Sequence, residues 1–458
     1  MNYRSLSLWH DTAGEPLTPR PALDGDAEVD VAIVGGGFTG LWTAYYLADS
    51  GLRVAVCERE IAGYGASGRN GGWCSALFPT SLSKLARLAG ADRATALYRA
   101  LERTVDEVGR VVLDEQIDCG YAKGGTVMLA RSPAQLDRAK AAVAEAREYG
   151  FGESDLALLD AAGARAHCAA TEVVGGTYTP HCAAVHPARL VRGLARAVER
   201  LGVAIYEQTP ALRIAPGQVV TPHGTLRAKS VIRATEGYTA GLPGHRRLLV
   251  PVYSLMLATT PLPTEFWDPV GLARRQTFSD FRHLIIYGQR TADDRLAFGG
   301  RGAPYHFGSK ILPEYDREPA VFAELARALT ELFPALADVD HEISHTWGGP
   351  LGVPRDWYAS VGFDPATRIG HAGGYVGDGV AATNLAGRTL ADLVLGRDTE
   401  LIRLPWVGHR SPHWAPEPVR WLEVNAGRRA VAAIDRREQR TGRSPRLARA
   451  VTRLLGVD

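Results

Sequence analysis

The sequence predicts an α/β protein with two interleaved domains. One stands on a buried parallel sheet and is discontinuous in the chain; the other is an α+β insertion on a mostly antiparallel sheet. Three observations predict this. A 458-residue chain is too long for one ordinary domain. A strand–glycine-turn–helix–strand unit opens near residue 29. Glycine-rich segments that match that unit in chemistry recur as late as residue 380, with strand- and helix-like stretches between them.

The opening unit justifies the first domain. Residues 29–34, VDVAIV, form a short apolar run that reads as a strand buried on both faces. GGGFTG follows, with Gly35, Gly37 and Gly40 in GxGxxG register. Residues 38–50 carry helical spacing and Gly51 is a natural stop. Residues 53–57 are a second β-type run, ending at Glu58, eighteen residues past Gly40. The unit has the length of the Rossmann-type dinucleotide fingerprint, about 30 residues. Gly35 permits the tight turn, Gly37 lets the backbone approach a pyrophosphate, and Gly40 lets helix and strand pack closely. The phosphates then sit at the helix N-terminus and Glu58 accepts the adenosine ribose hydroxyls. An acid there disfavours a 2′-phosphate, although Arg59 follows.

The fingerprint alone does not separate NAD from FAD. The segment that follows does, since residues 61–73, IAGYGASGRNGGW, supply a second glycine-rich stretch with Ser67, Arg69 and Asn70. Such a loop can wrap a pyrophosphate from its other side and reach a flavin ring. GGYVGDGVAATNLAGRTLADLVLG then reads as a glycine turn opening a helix over 379–395, with Gly396 as its stop. Its N-terminal dipole would stabilise an anionic reduced flavin.

Together, GGGFTG, Glu58, GYGASGRNGG and GGYVGDGV resemble the FAD-dependent D-amino-acid oxidase, glycine oxidase and sarcosine oxidase superfamily. In its GASGRNGG wording the chain is most similar to the γ-glutamylputrescine oxidoreductase-like members. The resemblance spans residues 29–396 and implies FAD as cofactor. It implies that Gly35, Gly37 and Gly40 receive the pyrophosphate and that Glu58 takes the adenosine ribose, with Phe38, Thr39 and Arg59 also among the cofactor-binding residues. It places Gly65, Ala66 and Ser67 along the phosphates, and Arg69, Asn70, Gly71 and Gly72 toward the flavin. Ala211 would hold the adenine by its backbone, with Thr235 and Gly237 in a second phosphate-side turn. That turn, ATEGYT, departs from the pattern by carrying Glu236 where Gly, Asn or Ala is expected. Gly374, Tyr375, Gly377, Gly379 and Val380 complete the set.

The implied reaction is oxidation of a C–N bond in a small-molecule amine or amino acid to an imine, which water hydrolyses. Molecular oxygen, with peroxide release, or another acceptor would take the electrons. Such chemistry needs positioning more than an acid–base triad. The substrate-pocket candidates are Trp73, Tyr253, Arg301, Trp347 and Tyr375. The alternatives are an amine dehydrogenase, a flavin monooxygenase (Asp378 lies in GDG), and a non-catalytic FAD-binding protein. Some members of the superfamily place a Lys near the flavin. None of this chain's lysines sits in a cofactor motif, and Lys310 is the one placed late enough to visit it.

The expected cofactor domain comprises residues 26–84, 156–242 and 342–400, the substrate domain 85–155 and 243–341, and a helical tail 401–458. Helices are expected over 82–117 and 133–149, and from His186-Pro187 to 201, with His186 as a cap rather than a base. Strands are expected over 121–130, 248–257, 284–290 and 295–299, roofing the flavin. A net charge of +2 gives no reason to expect nucleic acid. Five scattered cysteines without a CxxC pair predict reduced thiols, no metal site and a cytoplasmic setting. Residues 1–30 lack an apolar signal core, and no apolar run reaches the roughly 20 residues of a membrane span. The basic tail helix ARAVTRLLGV is expected to pack on the protein rather than on a membrane.

Overall fold

The computed structural model describes residues 2–443, with the side chain of Arg301 outside the description. Apolar runs with period-two or fully buried character become strands, which assemble into two eight-stranded sheets and one two-stranded ribbon. In the first sheet the order is Ser360–Asp364, Ile369–Gly373, Gly224–Arg233, Ala27–Val34, Val54–Cys57, Ala204–Tyr206. The five strands from Ile369–Gly373 to Ala204–Tyr206 run parallel. One face is covered by the helices Phe38–Ala48, Pro187–Arg200 and Gly379–Leu395 around Leu41, Trp42, Leu194 and Leu385. The other carries a small antiparallel ribbon, Arg213–Ala215 with Gln218–Thr221.

The second sheet is antiparallel except for one parallel pair, Thr126–Ala130 with Thr277–Asp280. The strand-rich insertion expected over 121–130, 248–257, 284–290 and 295–299 is observed as Thr126–Ala130, Val250–Thr259, Ile286–Arg290 and Leu296–Arg301. Its apolar underside packs on the helix Pro319–Leu332 through Leu255, Phe298, Leu325 and Leu329.

The domain boundaries shift from those read in the sequence. Ala157–Asp160 and Gly175–Thr179, expected in the cofactor domain, join the second sheet: Gly175–Thr179 pairs with Thr126–Ala130, and Ala157–Asp160 pairs with Gly175–Thr179 at the edge. Ile343–Val353 also belongs there, because it pairs along nearly its whole length with Val250–Thr259. Strand partners are set by register across the chain, which local pattern does not carry. The helix expected over 82–117 is two helices, Leu82–Ala89 and Ala91–Asp114. They break at Gly90, whose φ of +91° a helix cannot hold. The tail contributes the helix Val419–Thr441, while the ARAVTRLLGV segment lies outside the described residues.

The N-terminal arm, which the sequence shows only to lack an apolar signal core, is a structural strap that buries Leu8, Trp9 and His10. Its anchor is Glu207, a carboxylate with no solvent exposure. It accepts hydrogen bonds from Arg20 N, Arg20 Nη1 and Ala62 N at 2.7, 2.8 and 2.7 Å, and Arg192 Nη1 lies 3.6 Å away. Removing one partner of such a pair leaves the others charged and desolvated. Glu207→Ala is therefore expected to destabilise the fold by about 3 kcal/mol, read as an early unfolding midpoint in urea.

Candidate active site

A groove of about 850 Å³ runs between the two sheets, within the size range of cofactor sites. Its floor is the fingerprint unit. Gly35 leaves the first strand at φ +114°, and a Cβ there would come within 2.4 Å of Ala234 O. A Cβ on Gly40 would meet Gly35 O at 2.0 Å, so the helix can cross the strand this closely only at glycine. Gly37 caps the helix Phe38–Ala48 without any side-chain hydrogen bond. Gly37, Phe38 and Thr39 at its start line the groove, and Phe38 N donates to Ser67 Oγ at 2.8 Å. Glu58 accepts from Gly36 N and Glu60 N at 2.7 and 2.9 Å. Burial nevertheless pushes its carboxyl up to about 7.

The second glycine-rich loop forms the groove's far wall and is braced from every side. Asn70 donates to Ala66 O and Ser67 O and accepts from Gly72 N at 2.8 Å, which closes the loop on itself. Two indoles hold its peptide carbonyls: Trp9 donates to Asn70 O at 2.8 Å and Trp347 to Arg69 O at 2.9 Å. The Arg69 guanidinium, 2% exposed, donates to Asp316 at 2.6 Å, Gly348 O at 3.0 Å and Tyr238 OH at 2.9 Å.

The third wall is the start of the helix Gly379–Leu395, again without a side-chain cap, and it ends on Gly396 in the left-handed region as the sequence predicts. Tyr375 OH lies 3.2 Å from Thr39 Oγ1 and ties this wall to the fingerprint helix. The anomalous Glu236 has a structural reason. It sits at φ +38° and accepts from Gly374 N at 2.9 Å, fastening the phosphate-side turn to the late glycine loop. Burial raises its carboxyl to about 7, against hydrogen bonds from the backbone of Gly374, Gly352 and Tyr375.

The groove gathers most of the cofactor residues expected from the sequence. Gly35, Gly37, Phe38, Thr39, Glu58, Arg59, Gly65, Ala66, Ser67, Arg69 and Asn70 line it, as do Ala211, Thr235, Gly237, Tyr375, Gly377, Gly379 and Val380. Gly40, Gly71, Gly72 and Gly374 stand just behind as packing positions. Of the five pocket candidates, Tyr375 alone lines the groove. Trp347 is turned away to support the loop. Tyr253 is buried among Tyr315 and His306, and Trp73 meets Tyr287 edge to face at 6.2 Å. Arg301 ends a strand opposite Ser254, and its side chain lies outside the described residues. Four lining residues were not singled out from the sequence: Tyr64 and Tyr238, which sit inside the glycine motifs as their aromatic members, and Pro350 and Asp316, which lie outside any motif.

His186 caps its helix by accepting from Arg189 N at 3.2 Å, and burial lowers it to about 3, so it stays neutral. All five cysteines are free and buried. Glu102, Asp155 and His181 have a spacing that could hold a cation. Arg99 already pairs with both carboxylates, each at 2.8 Å. No helix among the described residues is long and apolar enough to cross a membrane.

A parallel sheet whose helix N-termini open onto one groove defines a dinucleotide-binding fold. The family model described as FAD dependent oxidoreductase (DAO) matches residues 30–393, and the chain belongs to that family; it is an FAD-dependent enzyme. It is 30% identical over 402 residues to γ-glutamylputrescine oxidoreductase of Escherichia coli, covering 85% of this chain and 89% of that protein. It is 32% identical over 400 residues to "Probable oxidoreductase OrdL" of Rhizobium meliloti, covering 86% and 89%. The crystal structure of glycine oxidase from Geobacillus kaustophilus superposes with a TM-score of 0.68 at 24% identity, over 84% of this chain and 99% of that one, which speaks for the fold alone.

The indole brace yields a prediction. Trp347→Phe keeps the ring but leaves Arg69 O without its donor, at a cost of about 1–2 kcal/mol. The variant is expected to unfold earlier and release FAD faster, while the KM for substrate stays unchanged because the ring does not line the groove. A raised KM with unchanged FAD retention would return Trp347 to the substrate pocket.

Proposed function

We propose that this enzyme oxidises the C–N bond of an amine or amino acid, with FAD extended along the groove. The observation that carries the reading is that all the glycine-rich segments converge on one cavity, in a chain 30% identical to γ-glutamylputrescine oxidoreductase. In this reading Glu58, with Arg59, takes the adenosine ribose and the Ala211 backbone the adenine. Gly35, Gly37, Phe38, Thr39, Gly65, Ala66, Ser67, Thr235 and Gly237 surround the pyrophosphate, with Gly40 packed beneath. Arg69, Asn70, Gly71 and Gly72 meet the flavin end, with Gly374, Tyr375, Gly377, Gly379 and Val380 opposite. The groove fits such a ligand in donor chemistry, since two uncapped helix starts offer N–H groups and partial positive charge to an anionic cofactor.

Bound FAD supplies the two-electron acceptor for the C–H bond beside the substrate nitrogen. The chain's task is then to hold the substrate's α-carbon in place and exclude water. The start of the Gly379–Leu395 helix stabilises negative charge on the cofactor's flavin end through its dipole. The resulting imine is hydrolysed by water. Oxygen is the proposed final acceptor, and Lys310, the lysine placed late enough in the chain to reach the site, lines the groove. The five buried thiols fit a reducing compartment, the cytoplasm.

Anaerobic titration of the purified enzyme with amines and amino acids tests the reading. One class is expected to bleach the flavin band, and air to restore it with peroxide release. Bleaching without rapid restoration would make it a dehydrogenase, and no bleaching by any amine would remove the assignment. A pH prediction follows from Glu58. Its carboxyl near 7 in the free groove lies above its ordinary value near 4.5. The folded apoprotein therefore holds this proton more tightly than the unfolded chain does. That stabilisation is full below about 4.5 and lost as pH rises through about 7. The ribose hydroxyls bind the ionised form, so FAD affinity should weaken below about pH 7, approaching a tenfold loss per unit, and level off above it. Glu58→Gln should abolish that slope, whereas Glu236→Gln, with its carboxyl also near 7, reports any parallel contribution.

A further inference from the structure

One wall of the groove comes from neither the fingerprint nor the late glycine loop. It is formed by consecutive residues Ser309, Lys310, Ile311, Leu312 and Pro313, with Asp316 after them. They belong to a segment, 302–316, that leaves the second sheet at Arg301 and re-enters regular structure at the helix Pro319–Leu332. Within it the described backbone makes short 3-10 turns but no strand pairing. Such a crossing segment must be held by side chains, and this one is held at both ends by different parts of the molecule.

At its start the C-terminal region holds it. Arg428 donates to Gly302 O at 2.8 Å. Asn425 grips Tyr305 twice, accepting from its N–H at 3.2 Å and donating to its carbonyl at 3.0 Å. Glu417 accepts from Tyr305 OH at 2.6 Å and Gly308 N at 3.0 Å, while Ser309 N donates back to Tyr305 OH at 3.0 Å. At its end Asp316 is joined to Arg69 of the cofactor loop at 2.6 Å. Tyr305 is 2% exposed and Arg69's side chain 2%, so both fixings are largely removed from water, where a charge-assisted hydrogen bond is strongest.

We propose that residues 302–316 are a clasp across the cofactor groove, latched by Arg69–Asp316 and hinged on Glu417, and that Asp316 and Glu417 are positioning residues that set how long FAD stays bound. The inference rests on the placement of FAD in this groove. FAD leaves by way of a state in which the clasp is unlatched, so weakening either fixing raises the release rate. It also gives the C-terminal helix a task, because Val419–Thr441 carries Asn425 and Arg428.

The test is the rate of FAD release at fixed temperature, followed by the rise in flavin fluorescence after the holoenzyme is diluted into FAD-free buffer. Asp316→Asn keeps the shape and removes the charge; it should speed release roughly tenfold or more, the scale of one charge-assisted hydrogen bond. Glu417→Gln, whose side chain does not line the groove, should speed it severalfold. Gly37→Val is the control for the groove itself. If Gly37→Val loses FAD while Asp316→Asn and Glu417→Gln both release it at the wild-type rate, the groove stands and the clasp falls. If Gly37→Val retains FAD like the wild type, the groove placement fails and takes the clasp with it. Should Asp316→Asn not fold, Glu417→Gln alone decides: release within twofold of wild type overturns the proposal.

Discussion

A guanidinium buried at the meeting point of both domains organises the site. Arg69 brings a full positive charge to a position with almost no water. Such a charge is tolerated only if its hydrogen bonds and its counter-charge are supplied by the fold. Here the counter-charge is Asp316 from the segment before the helix Pro319–Leu332, one acceptor is Gly348 O on the second sheet, and another is Tyr238 OH beside the first. The Tyr64 ring lies under the cation at 5.2 Å. Satisfying one side chain therefore fixes the distance between the two sheets, and with it the width of the groove.

The other braces follow from the same need. A glycine-rich loop has high backbone entropy and would wander if left alone. It is held here by Asn70 from within, by Trp9 from the N-terminal arm and by Trp347 from the second sheet. The arm in turn is fastened by Glu207 to Arg20 and Ala62 N. Rigid peptides at this position favour a preorganised surface for a planar cofactor ring, since little reorganisation remains to be done on binding.

The fold was largely legible in the sequence, and the reason is local. The fingerprint strand, helix and acid lie within about 30 residues, and glycines at fixed spacing have few alternative uses. The late helix was equally legible because its start at Gly379 and its stop at Gly396 are both local signals. Strand membership was less so. Gly175–Thr179 and Ile343–Val353, placed by the sequence within the cofactor domain, pair in the second sheet, because pairing partners more than 40 residues away leave no local trace. The site divided in the same way. Backbone-type contacts came through in the glycine motifs, whereas side chains contributed by tertiary packing did not. Asp316 sits in a segment without periodicity, and Trp347, chosen as a pocket aromatic, is spent on a backbone carbonyl. Glu236 broke the family pattern in sequence and is explained only by the Gly374 N–H that folding brings to it.

The proposed function requires that the groove be the cofactor's seat, with the adenine end at Ala211 and the ring end at the Arg69–Gly72 loop. A crystal structure of the FAD-loaded enzyme measures this directly. Continuous density is expected from Ala211 past Glu58 and Ser67 to Asn70 and Tyr375, with Arg69 still joined to Asp316. Density for FAD in the reverse orientation or outside this groove, or an Arg69 swung away from Asp316 in the loaded enzyme, would contradict it.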